Sequence, residues 1–493
     1  MKIGFDNEKY IKQQSNKIKE RMKKYDTLYL EVGGKLVDDN HASRVLPGFK
    51  KDSKLKMLEQ LKEKLEFIFV INASDIESNK IRGDYGITYE NYLFKTIDDF
   101  RKIGFKINSV VVTLYNNQKG AKSFAQKLEN KKIKTYFHTF TKGYPTDIDI
   151  IVSDEGYGAN PYIKTTRPLV VITSPGANSG KLATSLSQLY HEYKKGNKAG
   201  YAKLETFPVW DLPIKHPLNV AYEASTANLK DLNMIDSFHL EAYGKTAVNY
   251  NRDLEVFPIL RNILYKITGT NVYKSPTEMG INMISECITN NKIVETAAKQ
   301  EIIRRYYDAL CDYKKGIETH DVASRIKVLM DEIKITPDIR KVIAKCLDKS
   351  IAENTHVVSL ELPNGKIITG KESKLLSASS ALVLNAIKEL TKIPDDADLL
   401  SKSILNPILK YKPLLFDKSK KALSLQEVYI ALSICSATNP IIDKALISLD
   451  KLAHCEAHAS YMLTNGDLQF IKGLDINLTC EPNYYSDDLY IEK

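Results

Sequence analysis

The chain reads as an α/β protein: a doubly wound, mostly parallel sheet with a phosphate-loop-like turn, followed by a helical region and a smaller α+β C-terminal domain. Three observations predict this. Apolar strands such as Phe67 to Asn72 (FIFVIN) and Ser109 to Leu114 (SVVVTL) suit a sheet covered on both faces. Strand and helix periods alternate through the first half of the chain. Finally, Pro168 to Glu192 (PLVVITSPGANSGKLATSLSQLYHE) passes from a β-branched run through a Ser174-Pro175-Gly176 turn into a helix. There Leu182, Leu186, Leu189 and Tyr193 recur at helical spacing.

Taken in order, residues 7 to 25 form a charged helix and Thr27 to Val32 the first strand. A loop dense in glycine and polar groups follows (residues 33 to 49), then the FIFVIN strand ending in Ala73-Ser74-Asp75. Residues 89 to 103 are helical, Ser109 to Leu114 a strand, 118 to 130 a helix, Lys134 to Phe140 a strand. Asp149 to Val152 (DIIV) is a further expected strand before Ser153-Asp154-Glu155, Tyr201 to Glu205 another, and Asn219 to Tyr222 a last one ending at Glu223. Ligands gather at the carboxyl ends of such strands, so Gly33-Gly34, Ser74-Asp75, Asp154-Glu155 and Ser179 to Lys181 are expected on one rim. From Asp253 to about Ser350 the pattern is helical. Pro363-Asn364-Gly365 between two β-rich runs signals a hairpin, and helices follow over residues 372 to 392, 397 to 411 and 425 to 436. The expected division is residues 1–252, 253–352 and 353–493.

Composition narrows the class. A chain of 493 residues, 43% hydrophobic, exceeds one core and lacks a run of roughly 18 apolar residues or a signal-peptide core. The cytoplasm is the expected location, with no membrane partner. Six cysteines without a C-x-x-C pair argue against a disulfide framework. The net charge of +10 comes from lysines dispersed among acidic residues, the pattern of solvated faces rather than of nucleic-acid binding.

The strand-turn-helix at residues 168 to 192 carries the sharpest functional expectation. Gly176, Ala177, Asn178, Ser179, Gly180 and Lys181 would cradle a phosphate, because loop amides and the positive end of a helix converge there. Lys181 would reach a terminal phosphate. The motif departs from the standard loop: Pro175 takes the place of its first glycine, and Leu182 that of the hydroxyl residue that binds magnesium. An ordinary turn with a solvated Lys181 is the plain alternative. Glu223 and Asp236 are candidates to hold a metal or take a proton, with His239 and Arg252 facing a substrate. Asp39, His41 and Arg44 are candidate substrate-binding groups from the first glycine-rich loop. Asp253 doubles as a candidate helix cap. Cys455, His458 and Cys480 are legitimate zinc ligands at spacings that match no structural or catalytic zinc motif.

Several long stretches together resemble the bacterial uncharacterised protein family 0371: residues 33 to 49, 156 to 192, 238 to 258, YKSPTEMGINM at 273 to 283, and INLTCEPNYY at 476 to 485. The resemblance spans nearly the whole chain. It implies a cytoplasmic α/β protein with a glycine-lysine loop and no particular reaction. The leading expectation is an enzyme that binds ATP or another phosphorylated ligand with magnesium and transfers or cleaves a group on a small molecule, as a homo-oligomer. The alternatives are a metal-dependent hydrolase or peptidase, and a non-catalytic oligomer that binds a phosphorylated ligand.

Overall fold

A computed structural model describes residues 2–83, 85–415 and 422–486. The chain forms two compact units, residues 2–223 with 231–295, and residues 224–230 with 296–493. No described helix is long and apolar enough to cross a membrane.

The first unit is organised on a seven-stranded sheet. Its strands are β1 (Thr27–Val32), β2 (Leu65–Asn72), β3 (Lys106–Thr113), β4 (Lys134–Phe137), β5 (Leu169–Thr173), β6 (Ala199–Leu204) and β7 (Gly280–Ile281). They lie in the order β7-β6-β1-β5-β2-β3-β4, and every pairing is parallel. Burial on both faces accounts for the apolar composition: Leu28, Tyr29 and Leu30 in β1 and Val170 to Ile172 in β5 are inaccessible. After β1 and after β2 the chain winds towards the β4 edge, whereas after β5 it turns towards β7. The winding therefore reverses at β5, the position where an open parallel sheet gathers ligands at its carboxyl ends.

Two crossover helices cover one face beside this point. Lys181–Lys194, here the loop helix, follows β5; Asn251–Thr268 lies between β6 and β7. Leu186 and Leu189 of the first and Phe257, Leu260 and Ile263 of the second join Tyr29, Ile68, Val70, Val170 and Ile172 in one buried cluster. Each such side chain contributes roughly 1.5–3 kcal/mol when fully buried, so this layer anchors both helices to the sheet.

Two expected strands are helical. Ile148–Ile151 is a short helix capped by Asp147, whose side chain accepts from the Ile150 amide at 3.0 Å. A four-residue apolar run has no period of its own, so local capping decided its form. Asp154-Glu155 consequently leaves the expected rim: Asp154 accepts from Tyr190 Oη at 2.9 Å and pairs with Lys194, near the far end of the loop helix. Asn219 to Tyr222 lies inside the helix Pro217–Ser225, where Pro217 pre-sets the first helical φ. Glu223 is thus a helix residue and not the end of a strand. Further on, the helix expected over 397 to 411 runs from Lys402 to Leu415.

The second unit contains helices and a smaller mixed sheet: β8 (Val357–Glu361), β9 (Ile367–Lys371), β10 (Glu456–Ala459) and β11 (Asn477–Cys480), ordered β9-β8-β10-β11. The hairpin signal is realised, with β8 and β9 antiparallel around Gly365 at φ +83°. The pair β10 and β11 is parallel. Arg340 is buried beneath this sheet, donating to Thr479 Oγ1 at 3.1 Å and the Ala457 carbonyl at 2.8 Å and pairing with Glu456.

Candidate functional site

The loop after β5 owes its shape to residues that tolerate left-handed backbone. Asn178 has φ +54° and Gly180, the cap of the loop helix, φ +88°. A Cβ on Gly180 would also come within 2.9 Å of Thr113, so the position calls for glycine on two counts. A glycine cap offers no side chain to the first-turn amides, and the positive end of the helix begins at this loop. The loop's carbonyls are tied down instead. Thr113 Oγ1 donates to the Ser179 carbonyl at 2.6 Å and Arg82 Nη1 to the Pro175 carbonyl at 2.9 Å, while the Tyr89 ring presses on Gly176.

Ser174, Asn178, Ser179 and Lys181 are the polar side chains of this loop. Ser174 Oγ donates to the Gly176 carbonyl at 2.7 Å and accepts from Lys181 Nζ at 3.3 Å. Ser179 is only 3% exposed, and among the described residues its hydroxyl has no hydrogen-bond partner. Burial lowers the Lys181 pKa from its ordinary value, with Lys203 and Arg252 adding to the effect and Glu31 opposing it.

Strand register brings a second set of charges to the same rim. Lys203, Glu31 and Ile172 form one row across β6, β1 and β5. One residue further Val32 pairs with Leu204, and the Gly33 amide donates to the Leu204 carbonyl at 2.8 Å. Lys203 Nζ lies 2.7 Å from Glu205 Oε1 and 2.5 Å from Asp253 Oδ2, in the first turn of Asn251–Thr268. Tyr201 Oη donates to Glu31 Oε2 at 2.8 Å, and Arg252 Nη2 pairs with Asp231 Oδ2 at 3.2 Å. Burial works against the Lys203 charge, but Asp253, Glu205 and Glu31 outweigh it and raise its pKa. The Glu205 carboxyl is pushed up to about 7 by burial and by Asp253 and Glu31, against the pull of Lys203.

The other expected site residues fall into separate groups. Asp39 caps the helix Asn40–Val45, accepting from the Ala42 amide at 3.1 Å, and pairs with buried Lys54 at 2.8 Å. Burial raises the Asp39 carboxyl, yet Lys54 and the Ala42 amide leave it below its ordinary value. His41 packs edge-on to Phe207 and Tyr222, centroids 5.3 and 5.4 Å away, and Arg44 is half-buried in the same helix. Glu223 accepts from the Asn233 amide at 3.2 Å. Asp236 is inaccessible and accepts from the His239 amide at 2.9 Å, the Thr277 amide at 3.2 Å and Thr277 Oγ1 at 2.7 Å. This carboxylate ties the helix Ser237–Tyr243 to the turn at Thr277. His239 Nδ1 meets Ser275 Oγ at 2.9 Å. Thus Lys181 and Arg252 share one electrostatic neighbourhood, while Asp236 and His239 form a hydrogen-bonded group with Ser275 and Thr277.

Among the described residues no group of three His, Cys, Asp or Glu side chains is arranged to hold a metal ion. His458 has both ring nitrogens engaged, with Thr479 Oγ1 at 2.8 Å and Glu481 Oε1 at 3.2 Å. At the rim, Leu182 supplies no hydroxyl and Lys203 lies between two of the carboxylates. The hydroxyl that holds magnesium in the standard phosphate loop is therefore not supplied at this position.

Sequence reasoning missed Glu31, Lys203 and Glu205. Their signal was alternation: Tyr201, Lys203 and Glu205 share one face of a strand whose other face is Ala202 and Leu204. Charge at every second position is out of place in a strand covered on both faces unless its groups pair.

The fold defines a doubly wound, all-parallel α/β unit with a charged carboxyl rim, joined in one chain to a mixed-sheet unit. The chain belongs to the family described as domain of unknown function DUF1846. Its N-terminal model matches residues 3–334 and its C-terminal model residues 338–490. Similar proteins occur in Clostridium botulinum strains ATCC 19397 / Type A, Kyoto / Type A2 and Alaska E43 / Type E3. Each is named UPF0371 protein and is 52% identical over 499 residues, covering 99% of both chains. The family resemblance carried by the five sequence stretches is thereby confirmed.

Proposed function

We propose that the first unit is an enzyme that binds a phosphorylated small molecule, such as a nucleotide, at residues 174–182 and transfers or cleaves a group on a small-molecule substrate. The observation that carries this reading is the buried Ser179 hydroxyl, unpartnered among the described residues, in a loop whose helix is capped by glycine and begins with a half-buried lysine. In this reading the amides of Asn178 to Lys181 and the Ser179 hydroxyl hold phosphate oxygens. Lys181 and Arg252 offset the negative charge that develops as a bond to the phosphoryl group breaks. Magnesium has no assigned step, because the residues beside the loop do not fit it.

Calorimetric titration of the full chain with inorganic phosphate, pyrophosphate and ATP tests the reading. Lys181→Ala lowers the affinity for the ligand that binds by more than tenfold, with the melting temperature retained. Equal affinities for parent and variant refute it.

A further inference from the structure

We propose that the outer face of the helix Leu425–Ser436 in the second unit, continued by Ile441, is the surface through which two copies of this chain pair. The inference is independent of the reading that residues 174–182 hold an anion.

Composition sets this helix apart. Residues 428–442 (VYIALSICSATNPII) contain no charged side chain, in a chain of which 27% is charged. A helix that is apolar on every side belongs in an interior. The helix Ala378–Thr391 of the same unit has that composition and that place: the run from Leu375 to Ile387 is equally free of charge, and most of its helical side chains are buried. Leu425–Ser436 is covered on one side only. Leu425, Val428, Ala431, Leu432 and Cys435 enter the core. Tyr429, Ile430 and Ile434 are 42, 59 and 53% exposed, Ile441 at the start of the next helix is 60% exposed, and Ser433 and Ala437 lie open between them. Ile430, Ile434 and Ala437 follow at spacings of four and three, which is a single stripe along a helix. Tyr429 is steadied at its edge by Phe470, ring centroids 5.1 Å apart. No described residue covers the stripe.

Charge and area both favour a second copy as the occupant. In a two-fold contact a face meets itself, so any charge near its centre would oppose a like charge. A chain of net charge +10 has to avoid that repulsion, and this stripe carries no charge at all. Asp443 and Lys444, both exposed just beyond Ile441, place one charge of each sign at its end, which a self-complementary rim can use. An isoleucine at these exposures leaves roughly 100 Å² bare, and with Tyr429, Ser433 and Ala437 the stripe offers about 500 Å². That is close to the apolar share of the roughly 800 Å² that each partner contributes to a stable dimer.

Sedimentation velocity of the full-length protein from about 1 to 100 µM tests the pairing. Self-association with a dissociation constant of about 10 µM or tighter is expected. Ile434→Glu and Ile430→Glu each bring a charge into the centre of the contact and weaken association by about thirtyfold or more. Both keep the circular dichroism of the parent, because these side chains are exposed in the single chain. Ile434→Leu retains the dimer. Ile351→Glu, at an 80% exposed position on another helix of the same unit, leaves association unchanged. A parent protein that stays monomeric at about 100 µM overturns the proposal. Association that persists unchanged in both glutamate variants, or that Ile351→Glu weakens to the same degree, also overturns it.

Discussion

Replacing Lys203 with methionine removes the cation between Glu205 and Asp253 and leaves most of the packing volume. Lys203 is 22% exposed on its side chain and Glu205 5%, so the carboxylates left behind are poorly solvated. Breaking a buried ion pair by removing one partner costs about 3–5 kcal/mol when the other charge stays ionised. Glu205 has an escape, because burial and the Asp253 and Glu31 carboxylates already hold its carboxyl above the ordinary value, and it rises further without Lys203. A carboxyl raised in the folded state contributes stability fully below its unfolded value of roughly 4.5 and loses it as pH climbs through the folded value. The penalty of Lys203→Met is therefore about 1 kcal/mol at pH 5.5, where Glu205 is protonated. It grows to about 3 kcal/mol at pH 8.5, where ionisation is forced. Urea unfolding followed by the fluorescence of Trp210, the only tryptophan, reads this unit. Its ring packs on Gly280 beside Glu205. A deficit of equal size at both pH values refutes the raised Glu205 carboxyl.

Three further outcomes are expected. Gly180→Ala places a Cβ against Thr113 at a left-handed residue, so it destabilises the first unit by about 2 kcal/mol and weakens phosphate binding, both seen by thermal shift with and without ligand. Asp39→Asn weakens the buried pair with Lys54. Because the Asp39 carboxyl is lowered in the folded state, its stability contribution is present above the unfolded value of about 3.9 and fades as pH falls. The variant's deficit at pH 7 therefore shrinks in acid, as urea midpoints at pH 7 and pH 3.5 will show. Arg340→Met leaves Glu456 and the carbonyl of Ala457 without their buried donor. The second unit loses about 3 kcal/mol or more, measured by hydrogen exchange in β10 and β11.

Much of the architecture could be read from local pattern. FIFVIN and the run before Ser174 are strands because a sheet covered on both faces admits only apolar side chains there, and Pro363-Asn364-Gly365 turns where φ must be positive. Patterns failed where they were short. DIIV and Asn219 to Tyr222 carry no period that separates strand from helix, and Asp147 and Pro217 tip both to helix. At the site, the glycine-lysine loop stood out because its residue types are unusual next to one another. Glu205 did not, since its meaning comes from strands β1 and β7 placed beside it by topology, and strand order is invisible in a linear reading. Asp236 looked like a chemical group and is occupied by three hydrogen bonds, a use that only the fold of residues 275–279 reveals.

The shared apolar bed of the two crossover helices ties the spacing of Lys181 and Asp253 to the volume of side chains one or more turns below them. Trimming Phe257 or Leu260 would let the second helix settle towards the sheet and carry Asp253, and with it Lys203, out of line. The rim can thus be retuned from its foundations, by substitutions that alter no charge and touch no ligand.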